Sequence, residues 1–248
     1  MEFTYKAYTK LIDLLKKHNY SFTDYSDFER QDKSVILRHD VDYDLHRVLK
    51  MAELEKEQGV SSTYFVLATS DFYNIMSKES QEILHKLQAL GHRIGLHFDE
   101  KRYDFTEENW NGDKIKELIK YESGILSKIA GGGAITAVSM HRPSKSTLES
   151  DLKIDGMANS YSKKFFTEFK YLSDSRMRWR ENAEEIIASE DYNRIQLLTH
   201  PFWYFEEPKP MKDIIADFIY ARGDVAKDRY EVFDNNFSRL EEILTPDL

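Results

Sequence analysis

Four short stretches of this 248-residue chain concentrate the side chains that could do chemistry. His39, Asp40 and Asp42 follow the apolar run Val35-Ile36-Leu37. His97, Phe98 and Asp99 follow Ile94-Gly95-Leu96. His141, Arg142, Pro143 and Ser144 follow Ile135–Met140. His200 follows Leu197-Leu198-Thr199 and leads into Pro201, Phe202, Trp203 and Tyr204. Four of the eight histidines fall in these places, so scatter is a poor explanation. Carboxylates and imidazoles at the end of a buried segment are costly to desolvate unless they bind something. Mixed carboxylate and imidazole ligands suit zinc or another first-row divalent ion. Such an ion lowers the pKa of its water to about 7. A second carboxylate can then take the proton, a separate histidine can protonate a leaving group, and an arginine can fix the base through a bidentate pair. Asp40, Asp42, His97, His141, Arg142 and His200 supply these roles.

The elements that must position these residues alternate. Tyr8, Leu11, Ile12, Leu14 and Leu15 recur at helical spacing over residues 4–17. Val35–Arg38 reads as the first core strand, after a turn-like stretch from Phe22 to Asp27. An amphipathic helix over Leu45–Gln58 is stopped by Gly59, and Thr63–Leu67 is β-branched and aromatic. A helix over Ser80–Leu90 ends at Gly91, before a short strand Arg93–His97. Lys114–Ile129 is helical, with glycines 131–133 as its stop, and Ile135–Met140 is a fourth strand. Weaker strand signals lie near Met157–Ser160 and Lys170–Leu172. Ala183–Ser189 reads as a short helix, Ile195–Thr199 as the last strong strand and Ile214–Leu244 mostly as helix. This order implies parallel strands with right-handed crossovers. Six or seven strands could close into an irregular β/α barrel or stay open as a doubly wound sheet. In either case the four chemical stretches share the carboxyl rim, where α/β folds place their ligands.

The remaining features narrow the classes. One domain over residues 1–248 is expected, with a motif-bearing core at 33–205 and a C-terminal helical segment at 212–244. Net charge is −9, and no Lys/Arg stripe that would track phosphates argues for nucleic acid. With no cysteine, disulfides and thiolate metal sites are excluded. Met1–Lys6 has no apolar leader, and no run reaches membrane-spanning length. A soluble, cytoplasmic protein without membrane insertion is expected. His18, His46 and His85 fit solvated positions, and His92, after Gly91, fits a structural one. Arg176, Arg178 and Arg180 alternate around Trp179. They read as a solvated edge or as a holder of an anionic sugar or nucleotide phosphate, the first being favoured.

In order, these residues resemble the polysaccharide deacetylase family, the NodB-homology carbohydrate esterases. Arg38-His39-Asp40-Val41-Asp42 stands where the family has Thr-Phe-Asp-Asp-Gly. Gly91-His92-Arg93-Ile94-Gly95-Leu96-His97 is similar to Gly-His-Glu-Ile-Gly-Asn-His. His141-Arg142-Pro143 matches an Arg-Pro pair, Asp174 and Trp179 match an Asp shortly before a Trp, and Leu197–His200 matches Leu-x-x-His. The resemblance implies a distorted parallel (β/α) barrel with six or seven strands, and metal-assisted hydrolysis of an N-acetyl group on a sugar, with zinc the leading ion. It implies Asp40 as base, Asp42 and His97 as metal ligands, Arg142 orienting Asp40, His200 as acid and Asp174 tuning His200. His39, Trp179, Trp203 and Tyr204 are expected to contact the N-acetylated carbohydrate.

Two departures leave alternatives open. Val41 separates the paired aspartates, so Asp40 and Asp42 could exchange roles. The family's third ligand, a histidine four residues after the first, is here Lys101. His141 is the first substitute, Asp99 the second and Glu100 the third. The subgroup with a His-Asp-Val-Asp signature is associated with surface-polysaccharide biosynthesis. Competing readings are a metal-dependent C–N hydrolase acting on a non-sugar amide, and a catalytically degenerate barrel that binds glycan.

Overall fold

A computed structural model describes residues 1–220 of the chain. The chain divides into two compact units, Met1–Glu206 and one beginning at Glu207. The first unit contains the whole motif-bearing stretch. In the second, the described residues form helix α8, Met211–Tyr220, and the rest of the expected C-terminal helix lies outside the described residues. Among the described residues, no helix is long and apolar enough to cross a membrane.

The first unit is built on one parallel sheet. Its strands are β1 (Ser21–Thr23), β2 (Ser34–Val41), β3 (Thr63–Leu67), β4 (Arg93–Asp99), β5 (Ala137–His141), β6 (Ala158–Asn159), β7 (Lys170–Ser173) and β8 (Arg194–Thr199). The order is β6-β5-β4-β3-β2-β8-β7, with β1 added beside β2. Strand β2 is the hub. One of its edges pairs with β8 over Ser34–His39. The other pairs first with β1 over Ser34–Ile36 and then with β3 over Arg38–Val41. Every pairing is parallel, and helices α1 (Tyr5–Lys17), α2 (Val48–Glu57), α3 (Lys78–Ala89), α4 (Gly112–Ile129), α5 (Lys145–Glu149), α6 (Lys163–Thr167) and α7 (Ala183–Ser189) run between or before the strands.

The sheet is curled. With neighbouring strands about 4.8 Å apart, a flat sheet would hold β2 and β5 about 14 Å from each other. Yet Ser139 on β5 accepts from Arg38 on β2, and its Oγ lies 3.4 Å from Asp40 Oδ2. The result is a distorted, incomplete barrel with β6 and β7 at its two ends. Phe166 on α6 lies against Tyr161, beyond β6, and against Tyr171 of β7.

Alternation along the strands divides the side chains into two cores. Outward-facing Val41, Tyr64, Val66, Leu96, Phe98, Val138 and Met140 pack with Val48, Ala52, Leu84, Leu87, Ile115, Ile119 and Leu126 of the helices. Inward-facing Ile36, Phe65 and Ala137 meet Tyr25, Phe28, Phe165 and Phe169. This aromatic plug fills the interior toward the amino ends of the strands. Above it the interior column of β2 changes from Ile36 to Arg38 and then Asp40, so the barrel is apolar at its base and charged at its carboxyl rim.

Gly95 makes this plug fit. A Cβ built there would sit 2.5 Å from two ring carbons of Phe65 and 3.2 Å from the Ala137 carbonyl oxygen. Hence G95A should cost about 1–3 kcal/mol of stability by overpacking, measured by denaturant unfolding. Unchanged stability would contradict the placement of the Phe65 ring over Gly95.

Candidate metal and acid–base site

Strand β2 runs three residues beyond its expected end at Arg38, and this decides where its chemical residues point. Arg38 and Asp40 face the interior, and His39 faces out. The His39 ring nitrogens bond Thr199 Oγ1 (2.7 Å) and Glu55 Oε1 (2.7 Å), and the residue is 1 % exposed. His39 therefore does not reach the rim, which corrects its expected contact with substrate.

Asp42, just past β2, comes together with His97, near the end of β4, and His141, the last residue of β5. His97 Nε2 lies 3.1 Å from Asp42 Oδ1, His141 Nδ1 lies 3.1 Å from His97 Nε2, and His141 Nδ1 lies 3.3 Å from Asp42 Oδ1. Burial would raise the Asp42 carboxyl, but His141, His97 and His200 hold it well below the ordinary range. The donor set fits a divalent ion. Ligands at about 2.0–2.1 Å in a tetrahedron stand about 3.3–3.4 Å apart, close to the edges of this triangle. The Nδ1 of His97 faces the Ser139 carbonyl at 3.3 Å. A carbonyl can only accept, so in neutral His97 the hydrogen sits on Nδ1 and the Nε2 lone pair faces the cluster, as outer support of a ligating histidine requires.

The other two candidates for third ligand are engaged elsewhere. Asp99 accepts from Arg142 and from the backbone of Lys101. Glu100 is buried and accepts from Ser144 N and Thr147 Oγ1. The exposed Lys101 donates its backbone N–H to Asp99 and accepts from Asp104 N at its carbonyl. These contacts tie the loop after β4 to the loop after β5, which carries His141.

Asp40 sits on one side of the triangle, its Oδ2 3.7 Å from His97 Nε2. Its partner is Arg38, which donates from Nε at 2.8 Å and from Nη2 at 2.7 Å in a bidentate pair. Burial opposes the charge on Asp40, yet Arg38 holds its carboxyl below the ordinary value. Arg142, expected in this role, instead pairs with Asp99, and its side chain is 55 % exposed. Arg38 was missed as a site residue, and the available signal was an arginine inside an apolar strand, two residues from an aspartate on the same face.

His200 sits on the other side, its Nε2 3.8 Å from Asp42 Oδ2. Asp174, just past β7, takes His200 Nδ1 at 2.6 Å on one oxygen, and the His200 N–H and the Tyr204 hydroxyl on the other. Burial lowers the His200 imidazole, but Asp174, with help from Asp42 and Asp40, pushes it up to about 9. Tyr204 is fully buried and braces Asp174, so its expected contact with substrate is also corrected. Trp203 is 6 % exposed and packs against Phe202 and Tyr43, which makes it a support of the rim. Trp179 is half-buried in the loop after Asp174. The exposed aromatic beside Tyr43 is Phe72, 56 % exposed. A cavity of about 760 Å³ lies at the amino ends of β7 and β8 and includes none of these groups.

No family model and no curated protein matches the chain. Among solved structures, it is similar to a family 4 carbohydrate esterase from Bacillus anthracis, with 17 % identity, a TM-score of 0.42, and 88 % of this chain and 86 % of that one covered. It is also similar to the chitin deacetylase of Colletotrichum lindemuthianum, with 14 % identity, a TM-score of 0.43 and coverages of 78 % and 84 %. A family 4 pseudoenzyme from Bacillus anthracis aligns at 12 % identity, a TM-score of 0.44 and coverages of 76 % and 60 %.

Removing Arg38 would strand a buried carboxylate. R38M should therefore cost about 3–5 kcal/mol at neutral pH, and R38M/D40L should cost less than R38M alone. Unfolding measurements on both variants check this, and a double variant weaker than the single would contradict the pairing.

Proposed function

We propose that the chain is a metal-dependent hydrolase that removes an N-acetyl group from a sugar. The observation that carries this reading is the Asp42, His97 and His141 triangle, flanked by an arginine-held carboxylate and an aspartate-held imidazole. Asp42, His97 and His141 would hold the ion, with zinc suited to two imidazoles and one carboxylate. When bound, it supplies Lewis-acid charge that makes water nucleophilic at neutral pH and steadies negative charge on the acyl oxygen.

The protein side chains divide the proton transfers. Asp40, kept ionised by Arg38, takes a proton from the attacking water. His200, kept cationic by Asp174, gives a proton to the departing nitrogen as the carbon–nitrogen bond breaks. The products are acetate and an amine. Two acid–base groups whose environments push them in opposite directions, one down and one up, suit the base and acid of one reaction. The half-buried Tyr43 and the exposed Phe72 at the rim offer faces on which a sugar ring can stack, which supports a carbohydrate over a non-sugar amide.

Acetate release from N-acetylated sugars, against a panel of simple amides, tests the assignment. D40N should lower the rate about a hundred- to ten-thousandfold with the metal retained. His200 acts in its protonated form, so activity should fall as pH rises through about 9. D174N removes the group that raises His200, and the alkaline limb should move to lower pH. No acetate from any N-acetyl sugar, or an alkaline limb unmoved in D174N, would contradict the proposal.

A further inference from the structure

The segment that follows Asp174 carries three arginines that the hydrolytic reading does not use. Residues 176, 178 and 180 are exposed, and Met177 and Trp179 between them are half-buried. The segment is anchored at the catalytic rim, because the Arg178 N–H donates to the Asp174 carbonyl at 3.1 Å, and the Asp174 side chain holds His200.

The chain carries 44 acidic against 35 basic residues, and several of its cations face carboxylates, among them Lys33 with Glu190, Lys86 with Glu53, Lys164 with Glu29 and Arg194 with Glu168. The two acids that bracket the segment are committed elsewhere. Asp174 serves His200 and Tyr204, and Glu181 pairs with Lys170 at 2.6 Å. Among the described residues, none of the three guanidinium groups has a carboxylate partner. The Trp179 indole N–H, between the last two arginines, is buried and also lacks an acceptor there. Segment 176–180 thus presents three exposed guanidinium groups with no carboxylate among the described residues to receive them.

The backbone adds an independent observation. Arg176 and Met177 both adopt positive φ, 59° and 52°, a conformation that costs a non-glycine residue about 1–2 kcal/mol. Two in succession hold the segment in a tight turn at the rim, with Ser175 N bonded to Ser173 Oγ. Strain of this kind persists where the surrounding structure over-determines it, often at ligand sites.

From this placement we infer that Arg176, Arg178 and Arg180 form a subsite for a phosphate or diphosphate group carried by the substrate. Three guanidinium groups match a multiply charged oxyanion better than a single carboxylate, and the planar fork of arginine suits phosphate oxygens. The inference rests on the proposed function only in taking this rim as the substrate side. A diphosphate on a sugar comes from a nucleotide or from a lipid carrier, and both present the same oxygens to the arginines.

The test is calorimetric titration of the full-length protein, freed of metal with a chelator so that the Asp42, His97 and His141 cluster cannot recruit the probe through an ion. Inorganic pyrophosphate should bind, and its affinity should weaken with added salt. R178Q should weaken it about tenfold, and R176Q/R178Q/R180Q about a hundredfold or more, as expected for lost charge-assisted hydrogen bonds. If the triple variant does not fold, R178Q alone decides. UDP-N-acetylglucosamine binding more tightly than geranyl pyrophosphate would support a nucleotide-linked substrate, and the reverse order a lipid-linked one. No binding of pyrophosphate, or equal binding by wild type and R178Q, would overturn the subsite. Acetate release is a separate readout, so loss of the hydrolase reading with pyrophosphate binding intact would leave this inference standing.

Discussion

Arg38 has no exposed surface, and a guanidinium in the interior of a curled sheet must find a carboxylate. Asp40, two residues along the same strand face, meets it with two hydrogen bonds. The pair sits directly above the aromatic plug of Phe65, Tyr25 and Phe28, and the Arg38 guanidinium lies over the rings of Phe65 and Tyr161. Much of the site follows from this contact. It holds Asp40 ionised and faces its carboxylate toward Ser139 and His97. It also leaves Arg142 available to pair with Asp99 at the rim.

The opposite face of β2 carries a second buried charge. Glu55 on α2 accepts from Tyr8, His39, Ser62 and Tyr64, with His92 Nδ1 at 3.5 Å. Burial would raise its carboxyl, but His39, His92 and Tyr8 hold it down at about 2. Buried charge is tolerated when its hydrogen-bonding capacity is used. The network joins α1, α2, β2 and β3, and so fixes the strand that delivers Asp40 and Asp42. Consecutive residues of one strand therefore serve different ends, His39 anchoring the helical layer while Arg38 and Asp40 build the interior.

Much of this was legible in the sequence. The strand Thr63–Leu67 and the helix ending at Ile129 fall where composition and periodicity placed them. His97, His141 and His200 do meet at one rim, where β2 brings Asp42 while His39 faces the helical layer. Phase was harder to read. Val35–Arg38 looks like the whole of a buried strand, because more polar residues follow at once, and an apolar run does not say that a strand continues through a histidine and an aspartate to Val41. That continuation separates His39 from Asp40 and pairs Arg38 with Asp40. The partners of Arg142 and Tyr204 depend on contacts between strands distant in sequence, which no local pattern contains. Strand β1 reads as a turn because its three residues are too few to show alternation.

The central claim is that Asp42, His97 and His141 are ligands to one ion, with Asp40 and His200 beside it and not bound to it. Anomalous diffraction at the zinc edge, from crystals of the zinc-loaded protein, tests it most directly. The expected result is a single strong peak, about 2.0–2.2 Å from His97 Nε2, His141 Nδ1 and an Asp42 carboxylate oxygen. No peak at this position, or a peak ligated by Asp40 and Asp99 in place of Asp42 and His141, would contradict the account.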